Sequence, residues 1–105
     1  MKKPLVRYES LLIFSSDYNP LQLKFLALYY AKTLRNWGAS KIHIRYRGKR
    51  SLAYSIKNNK IGDYIEIRFN IIPANLENYI SLLKLDNNIL RSFIRKKVSK
   101  NKLKK

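Results

Sequence analysis

The sequence predicts an α+β domain in which two helices cover one face of a four-stranded antiparallel sheet. Three segments repeat apolar residues with the two-residue period of strands, and two others repeat them with the three-to-four-residue period of helices. With a final short segment, the predicted order is strand, helix, strand, strand, helix, strand. Strands with one apolar face and amphipathic helices bury their apolar surfaces by packing in two layers.

The first strand and the first helix follow from residues 6–38. Residues 6–14 are rich in β-branched and aromatic types and carry apolar side chains on both faces, which is typical of a central strand. After a polar turn, Asn19 suits an N-cap and Pro20 suits the first position of a helix. The apolar stripe continues to Asn36, and Gly38 suits the left-handed residue that ends a helix.

The next two strands form a hairpin. Residues 41–47 alternate between apolar and polar, Gly48 fits a bulge, and the strand resumes to residue 56. Residues 57–62 are predicted to be an exposed tip, and residues 63–72 form the clearest alternating strand. His43 lies on the polar face of the first of these strands, where we interpret it as a solvated residue rather than a ligand or base.

The last elements complete the fold. The second helix is predicted to begin with Asn75 as N-cap and to end before residues 86–88. Residues 89–94 are predicted to be the last strand, and the pattern does not determine which way it faces. Right-handed crossovers then select the ferredoxin-like split βαβ arrangement, βαββαβ, for residues 5–95. Residues 96–105 are predicted to be a basic C-terminal tail.

Composition excludes several classes of function. A chain of 105 residues without cysteine is one domain that has neither disulfides nor thiolate metal sites, and its single histidine offers little for metal binding. We therefore predict no metal and no cofactor. The net charge of +17 requires a polyanion, with nucleic acid favoured over an anionic membrane surface. No apolar run can span a bilayer, and the N-terminus enters a strand too soon for a signal or transit peptide.

Basic residues are concentrated in the hairpin and at the C-terminus. Between Lys41 and Lys60 there are seven Lys or Arg residues and no acidic ones, and residues 95–105 repeat that count. Such segments suit a phosphate backbone. The alternatives are an edge strand kept positive to prevent aggregation and a solubilising tail. The candidate contacts from these segments are Arg45, Arg47, Lys49, Arg50, Tyr54, Arg95, Lys96, Lys97 and Lys100.

The predicted open face of the sheet does not resemble that of an RNA-recognition module. Residues 63–70 place one aromatic ring, Tyr64, beside Glu66 and Arg68, whereas stacking modules need several rings. Binding of a folded RNA through its phosphates fits better. Catalysis is not expected, because no Gly-rich phosphate loop follows the first strand and no acid–base pair is evident. The sequence therefore does not predict an enzyme of the acylphosphatase type, although such enzymes share the predicted fold.

Four motifs carry a resemblance to a known family. They are Arg-Tyr-Glu at residues 7–9, Asn-Trp-Gly-Ala at 36–39, the basic residues before Leu-Ala-Tyr-Ser-Ile at 48–56, and Asp-Asn-Asn-Ile-Leu-Arg at 86–91. In this order they resemble the bacterial-type small-subunit ribosomal protein six family over nearly the whole folded part. Ser55 departs from the family, which usually has proline there, and the basic tail departs from the neutral or acidic tails of bacterial members.

The resemblance implies a ferredoxin-like structural protein of the small ribosomal subunit. It implies binding to the central domain of the small-subunit rRNA jointly with small-subunit ribosomal protein eighteen. Arg7, Arg50 and Arg91 lie in the matching motifs, and the last two are the best transferred contacts. Lys, Ile, Asn, Leu and Tyr are abundant, as in proteins encoded by AT-rich genomes, and no transit peptide is predicted. Both observations favour a plastid-encoded copy in the chloroplast stroma over a bacterial cytoplasmic protein. The alternative function is a free RNA chaperone or translational regulator of the same fold.

Overall fold

The computed structural model describes residues 4–97 and has the predicted two-layer arrangement. The elements are β1 (Val6–Ser15), α1 (Pro20–Asn36), β2 (Ser40–Ile56), β3 (Asn59–Ile71), α2 (Pro73–Leu85) and β4 (Ile89–Lys96). The strands form one antiparallel sheet in the order β2-β3-β1-β4. The predicted ferredoxin-like fold class and the central position of β1 are confirmed. Within the described residues, no helix is long and apolar enough to cross a membrane.

The core lies between the sheet and the two helices. Alternate residues of the two central strands pack against the apolar stripes of α1 and α2; the fully buried ones include Leu12, Phe14, Ile67, Phe69, Tyr30, Leu34 and Tyr79. Because both helices contact this one face, no helix of residues 4–97 lies over the opposite face of the sheet. We call that opposite face the open face.

The ends of α1 match the prediction. The backbone N–H of Gln22 donates to Asn19 Oδ1 at 2.8 Å, and the Asn19 N–H donates to Gln22 Oε1 at 2.9 Å, which completes a capping box. Gly38 has φ +87°, the left-handed conformation that glycine adopts after a helix.

The predicted start of α2 is wrong. The helix begins at Pro73, and its N-cap is Ile72, which makes no side-chain capping bond. Proline favours the first helical position because its φ is already helical and it has no N–H to satisfy there. The Asn75 side chain instead donates to the Trp37 carbonyl at 3.0 Å, so it joins the start of α2 to the end of α1.

The β2–β3 hairpin is longer than predicted. Lys57 and Asn58 both have positive φ, 49° and 67°, and form a two-residue turn whose twist matches the flanking strands. Asn59 therefore already belongs to β3. Because β1 pairs with β3 only as far as Gly62, the end of the hairpin, residues 51–61, projects beyond the sheet. We call these residues the arm.

The last strand is also longer than predicted. It continues past residue 94 to Lys96, and the Lys97 N–H donates to the Arg7 carbonyl at 2.8 Å. The first two residues of the predicted tail therefore contact the sheet through the backbone.

Two buried tyrosines offer a matched test of packing. Within the described residues, the buried Tyr30 hydroxyl has no hydrogen-bond partner, whereas Tyr79 Oη lies 2.9 Å from Ser10 Oγ. We expect Tyr30→Phe to raise the free energy of unfolding by about 1 kcal/mol, because a buried unpaired hydroxyl is removed. Tyr79→Phe should lower it by about 1–2 kcal/mol, because Ser10 loses its partner. Urea unfolding followed by circular dichroism measures both, and a loss of stability in Tyr30→Phe would contradict the interpretation.

Candidate nucleic-acid interface

The open face carries alternate residues of all four strands. The pairing register places on it Arg7, Glu9, Leu11 and Ile13 of β1, His43, Arg45, Arg47 and Arg50 of β2, Tyr64, Glu66, Arg68 and Asn70 of β3, and Arg91, Phe93 and Arg95 of β4. The Lys and Arg residues in this set are all arginines, and only two residues in it are acidic. The planar fork of arginine matches phosphate and carboxylate oxygens, so this face suits a phosphate backbone.

A bulge in β2 determines which basic residues reach the open face. One extra residue stands between the pairs Tyr46–Ile65 and Gly48–Tyr64, and Gly48 has φ +101°. The extra residue reverses the alternation of side chains along the strand. As a result, Arg50 lies on the open face, while Lys49 faces the helix side. The predicted bulge is therefore present, and it determines which of these two neighbouring basic residues reaches the open face.

Lys49 pairs with a buried carboxylate on the helix side. Its Nζ lies 2.9 Å from Asp63 Oδ2, and Asp63 has no solvent exposure. The Tyr46 hydroxyl donates to Asp63 Oδ1 at 2.7 Å, and this hydrogen bond is the main cause of the raised pKa of Tyr46. The contacts of Lys49 are thus internal to the protein, and the structure does not place it with the other predicted contacts.

An ion-pair chain crosses the open face from β2 to β4. Arg47 Nη1 lies 2.7 Å from Glu66 Oε1, and Arg68 Nε lies 2.6 Å from Glu66 Oε2. The same Arg68 Nε lies 3.1 Å from Glu9 Oε2, and Arg95 Nη2 lies 2.8 Å from Glu9 Oε1. The antiparallel register produces the chain, because Glu9 stands opposite Arg68 on one side and Arg95 on the other. Both carboxylates are neutralised, and the five residues keep a net positive charge.

Glu66 is the central carboxylate of this chain. Its side chain is only 3% exposed, yet its pKa is lowered from the ordinary 4.5 to about 2. The neighbouring Glu9 side chain is the largest cause, followed by the hydrogen bonds from Arg68 and Arg47, and burial acts in the opposite direction. Glu66 therefore remains an anion at neutral pH and orients the two arginines beside it.

Two other predicted arginines have defined surroundings on the open face. The guanidinium carbon of Arg50 lies 5.6 Å from the centroid of the Tyr64 ring, a cation–π contact. Arg7 donates from Nη1 to the Lys41 carbonyl at 2.8 Å and to Asn70 Oδ1 at 3.2 Å. Arg50 is thus presented from an edge strand, whereas Arg7 joins β1 to the start of β2.

The remaining predicted contacts are dispersed. Arg45 and Arg91 lie on the open face, and Lys97 borders it. Lys96 pairs with Tyr8, so its side chain is directed to the helix side. Tyr54 lies on the projecting arm with 75% of its surface exposed, and Lys100 lies outside the described residues.

The sequence pattern does not identify the contacts at the centre of the face. It places Arg68 on the open face beside Tyr64 and Glu66 without marking it as a contact, and it does not reveal the apolar pair of Leu11 and Phe93. Leu11 stands directly opposite Phe93, which is 56% exposed, and both line a depression of about 440 Å³ together with Tyr64. Because the register shifts at Leu90, the sequence pattern does not show which way the side chains of β4 face. Leu11 and Phe93 can be recognised as a pair only from the cross-strand pairing, which depends on the register of the sheet.

The described residues contain no group of three or more His, Cys, Asp or Glu side chains that could hold a metal ion. The site is thus an arginine-rich sheet face with internally paired carboxylates.

Comparisons with known proteins show which proteins share this fold. The crystal structure of 30S ribosomal protein S6 from Thermotoga maritima matches with a TM-score of 0.85 at 24% identity, covering 95% of this chain and 94% of that one. The protein thus shares its ferredoxin-like fold with that ribosomal protein. The sequence model described as Ribosomal protein S6 matches residues 7–96. The chain belongs to the ribosomal protein S6 family.

Individual relatives agree with this assignment. Small ribosomal subunit protein bS6c of Trieres chinensis is 41% identical over 88 residues, which is 84% of this chain and 92% of the relative. The bS6c of Phaeodactylum tricornutum is 36% identical, covering 87% of this chain and 94% of the relative. Protein bS6 of Trichormus variabilis is 29% identical, covering 90% and 89%. The predicted family and the predicted non-enzymatic role in the small subunit are confirmed.

Proposed function

We propose that this protein binds the central domain of the small-subunit rRNA together with small-subunit ribosomal protein eighteen. The observation that carries the proposal is the open face, where arginines of β2, β3 and β4 neutralise two carboxylates and leave a net positive charge. A face of this kind attracts a polyanion without base reading, because its contacts are directed at phosphates.

The rRNA contacts are assigned to the β2 side of the face. Arg45, Arg47 and Arg50 follow one another along an edge strand, where no neighbouring strand restricts access. Glu66 holds Arg47 and the Tyr64 ring supports Arg50, so less side-chain entropy is lost when each meets a phosphate. The arm adds Tyr54, and the tail beyond Lys97, including Lys100, adds further contacts in this proposal.

The partner protein is assigned to the β4 side of the face. Leu11 and Phe93 form an apolar pair with Arg95 and Lys97 beside it. An apolar centre with a polar rim is the usual composition of a protein interface. The rRNA and the partner then occupy neighbouring halves of one surface, which accounts for joint binding.

We also propose a compartment, and the relatives support it. The algal bS6c relatives support a place in plastid ribosomes, in the chloroplast stroma. The cyanobacterial bS6 relatives keep a bacterial cytoplasmic ribosome as the second candidate.

The test is binding to a central-domain rRNA fragment across a salt series, with and without the partner protein. We expect the partner to tighten binding at least tenfold, and a fragment of equal length from another rRNA domain to show no such gain. Equal binding to both fragments, unaffected by the partner, would overturn the proposal in favour of a free RNA chaperone or regulator. Co-sedimentation with small subunits in high salt gives a second readout, because a regulator should wash off.

A further inference from the structure

The helix layer does not cover the whole sheet. On the helix side, Leu12 of β1 and Ile67 of β3 are fully buried, whereas Ile44 and Tyr46 of β2 are 40% and 54% exposed. These four residues share one face of the sheet by register. The inner surface of the edge strand β2 therefore lacks a covering element within the described residues.

A groove runs between this uncovered surface and α1. It encloses about 720 Å³, and its apolar walls are formed by Leu23, Ala27 and Leu28 from the helix and by Ile44, Tyr46 and Ile65 from the sheet. This volume is much larger than a packing defect and lies in the range of binding clefts. The groove is on the helix side of the sheet, so it is separate from the open face and independent of the function proposed for that face.

The apolar surface continues from the groove onto the outside of α1. Leu21, Phe25 and Leu28 follow one another at spacings of four and three residues and are 60%, 63% and 47% exposed. Of eleven exposed large apolar side chains in the described part of the chain, six lie on α1 or the adjoining stretch of β2: Leu21, Phe25, Leu28, Tyr29, Ile44 and Tyr46. Three of these six, Leu28, Ile44 and Tyr46, line the groove itself, and exposed apolar residues grouped around one cleft mark an interaction site, whereas scattered single residues would not.

The charges beside this surface select its partner. No Asp or Glu occurs in α1, while Lys24 lies on the groove wall, and Lys32 and Arg35 follow it along the helix. A second copy of this chain would bring the same cations and a net charge of +17 to the contact. An occupant with acidic residues along both sides of an apolar stripe complements the surface in charge and in shape.

We propose that the groove between α1 and β2 docks an acidic amphipathic helix of another protein. This helix lies along α1 as a third member of the helix layer and covers Ile44 and Tyr46. Since α1 has 17 residues, which is about four to five turns at about 3.6 residues per turn, an occupant of up to that length can lie along it.

The experiment uses two synthetic peptides of identical composition. One has leucines at helical spacing of three and four with glutamates elsewhere, and the other is a scrambled version. The scrambled peptide is needed because a chain of this charge attracts any acidic peptide. We expect the amphipathic peptide to bind at least tenfold more tightly than the scrambled one, as measured by fluorescence anisotropy. When it binds, the amide chemical shifts of the protein should change at Leu23, Ala27 and Ile44.

Matched variants locate the binding. Leu28→Glu and Lys24→Glu should each weaken the binding of the amphipathic peptide at least tenfold. Leu85→Glu and Lys84→Glu, which change exposed residues of α2, should have no effect. Circular dichroism confirms folding, and Lys24→Glu keeps the test valid if Leu28→Glu does not fold.

Three outcomes would overturn the proposal. Equal affinity for both peptides, or chemical-shift changes confined to the open face, would mean that net charge alone attracts the peptides. Leu28-dependent binding to phosphatidylglycerol vesicles, without peptide discrimination, would indicate a membrane surface. A concentration-dependent dimer that Leu28→Glu abolishes, again without peptide discrimination, would indicate a second copy.

Discussion

The double variant Arg47→Ala/Arg50→Ala is expected to bind the central-domain rRNA fragment about 100-fold more weakly at physiological salt. Each side chain is presented toward solvent from edge strand β2, one held by Glu66 and the other by the Tyr64 ring. Loss of one charge-assisted phosphate contact costs roughly tenfold in affinity, or about 1.4 kcal/mol. The slope of log affinity against log salt should fall by about 1.4–1.8, since each contact contributes about 0.7–0.9. Filter binding across a salt series measures both quantities.

The matched control is Lys32→Ala/Arg35→Ala. It removes the same charge from exposed positions of α1, on the other side of the sheet. We expect less than a threefold loss and a nearly unchanged slope. Equal losses in the two double variants would mean that net charge, rather than the open face, governs binding.

Glu66→Gln should remove about 2–3 kcal/mol of folding stability at pH 7. The lowered pKa means that the folded state favours the carboxylate, so the stabilisation is fully present above the ordinary value of 4.5. It is lost as the pH falls toward the folded-state value of about 2, because the carboxyl then becomes protonated in both states. The stability difference between the two proteins should therefore shrink from pH 4.5 and nearly vanish at about pH 2. Urea unfolding at a series of pH values measures it.

Glu77→Gln serves as the control for this variant. Glu77 is exposed on α2 and makes no ion pair among residues 4–97, so its replacement should change stability by less than about 0.5 kcal/mol at each pH. A Glu66→Gln difference that persists unchanged at pH 2 would show that side-chain packing, and not charge, is responsible.

Signals contained within a few residues allowed correct prediction of local structure. Asn19 and Gly38 bounded α1 because the cap and the left-handed end each depend on neighbouring backbone groups. Gly48 indicated the bulge because few other residues accept a positive φ in a strand. Asn75 shows where this reasoning stops. Its side chain could cap its own helix, but Pro73 had already set the start, and the carbonyl it contacts belongs to another helix.

The composition of the site depended on register, which no local signal supplies. Lys49 and Arg50 are neighbours in a strand and therefore lie on opposite faces, but the bulge determines which of them reaches the open face, and the buried Asp63 is the partner of Lys49 on the helix side. Likewise, Phe93 could be assigned to the open face only after the pairing with Leu11 was known. Charge and family resemblance therefore predicted the kind of surface, while the individual contacts required the three-dimensional pairing.

The extra residue in β2 also makes the chain unequally tolerant of changes in length at this point. Loss of Gly48 alone would give an unbroken ladder in which Arg47 pairs with Tyr64 and Lys49 still pairs with Asp63. Gain of one residue before Lys49 would turn that lysine away from Asp63 unless a second bulge absorbed the addition. Shortening by one residue thus preserves the orientation of Lys49 and Arg50, and lengthening by one residue exchanges them.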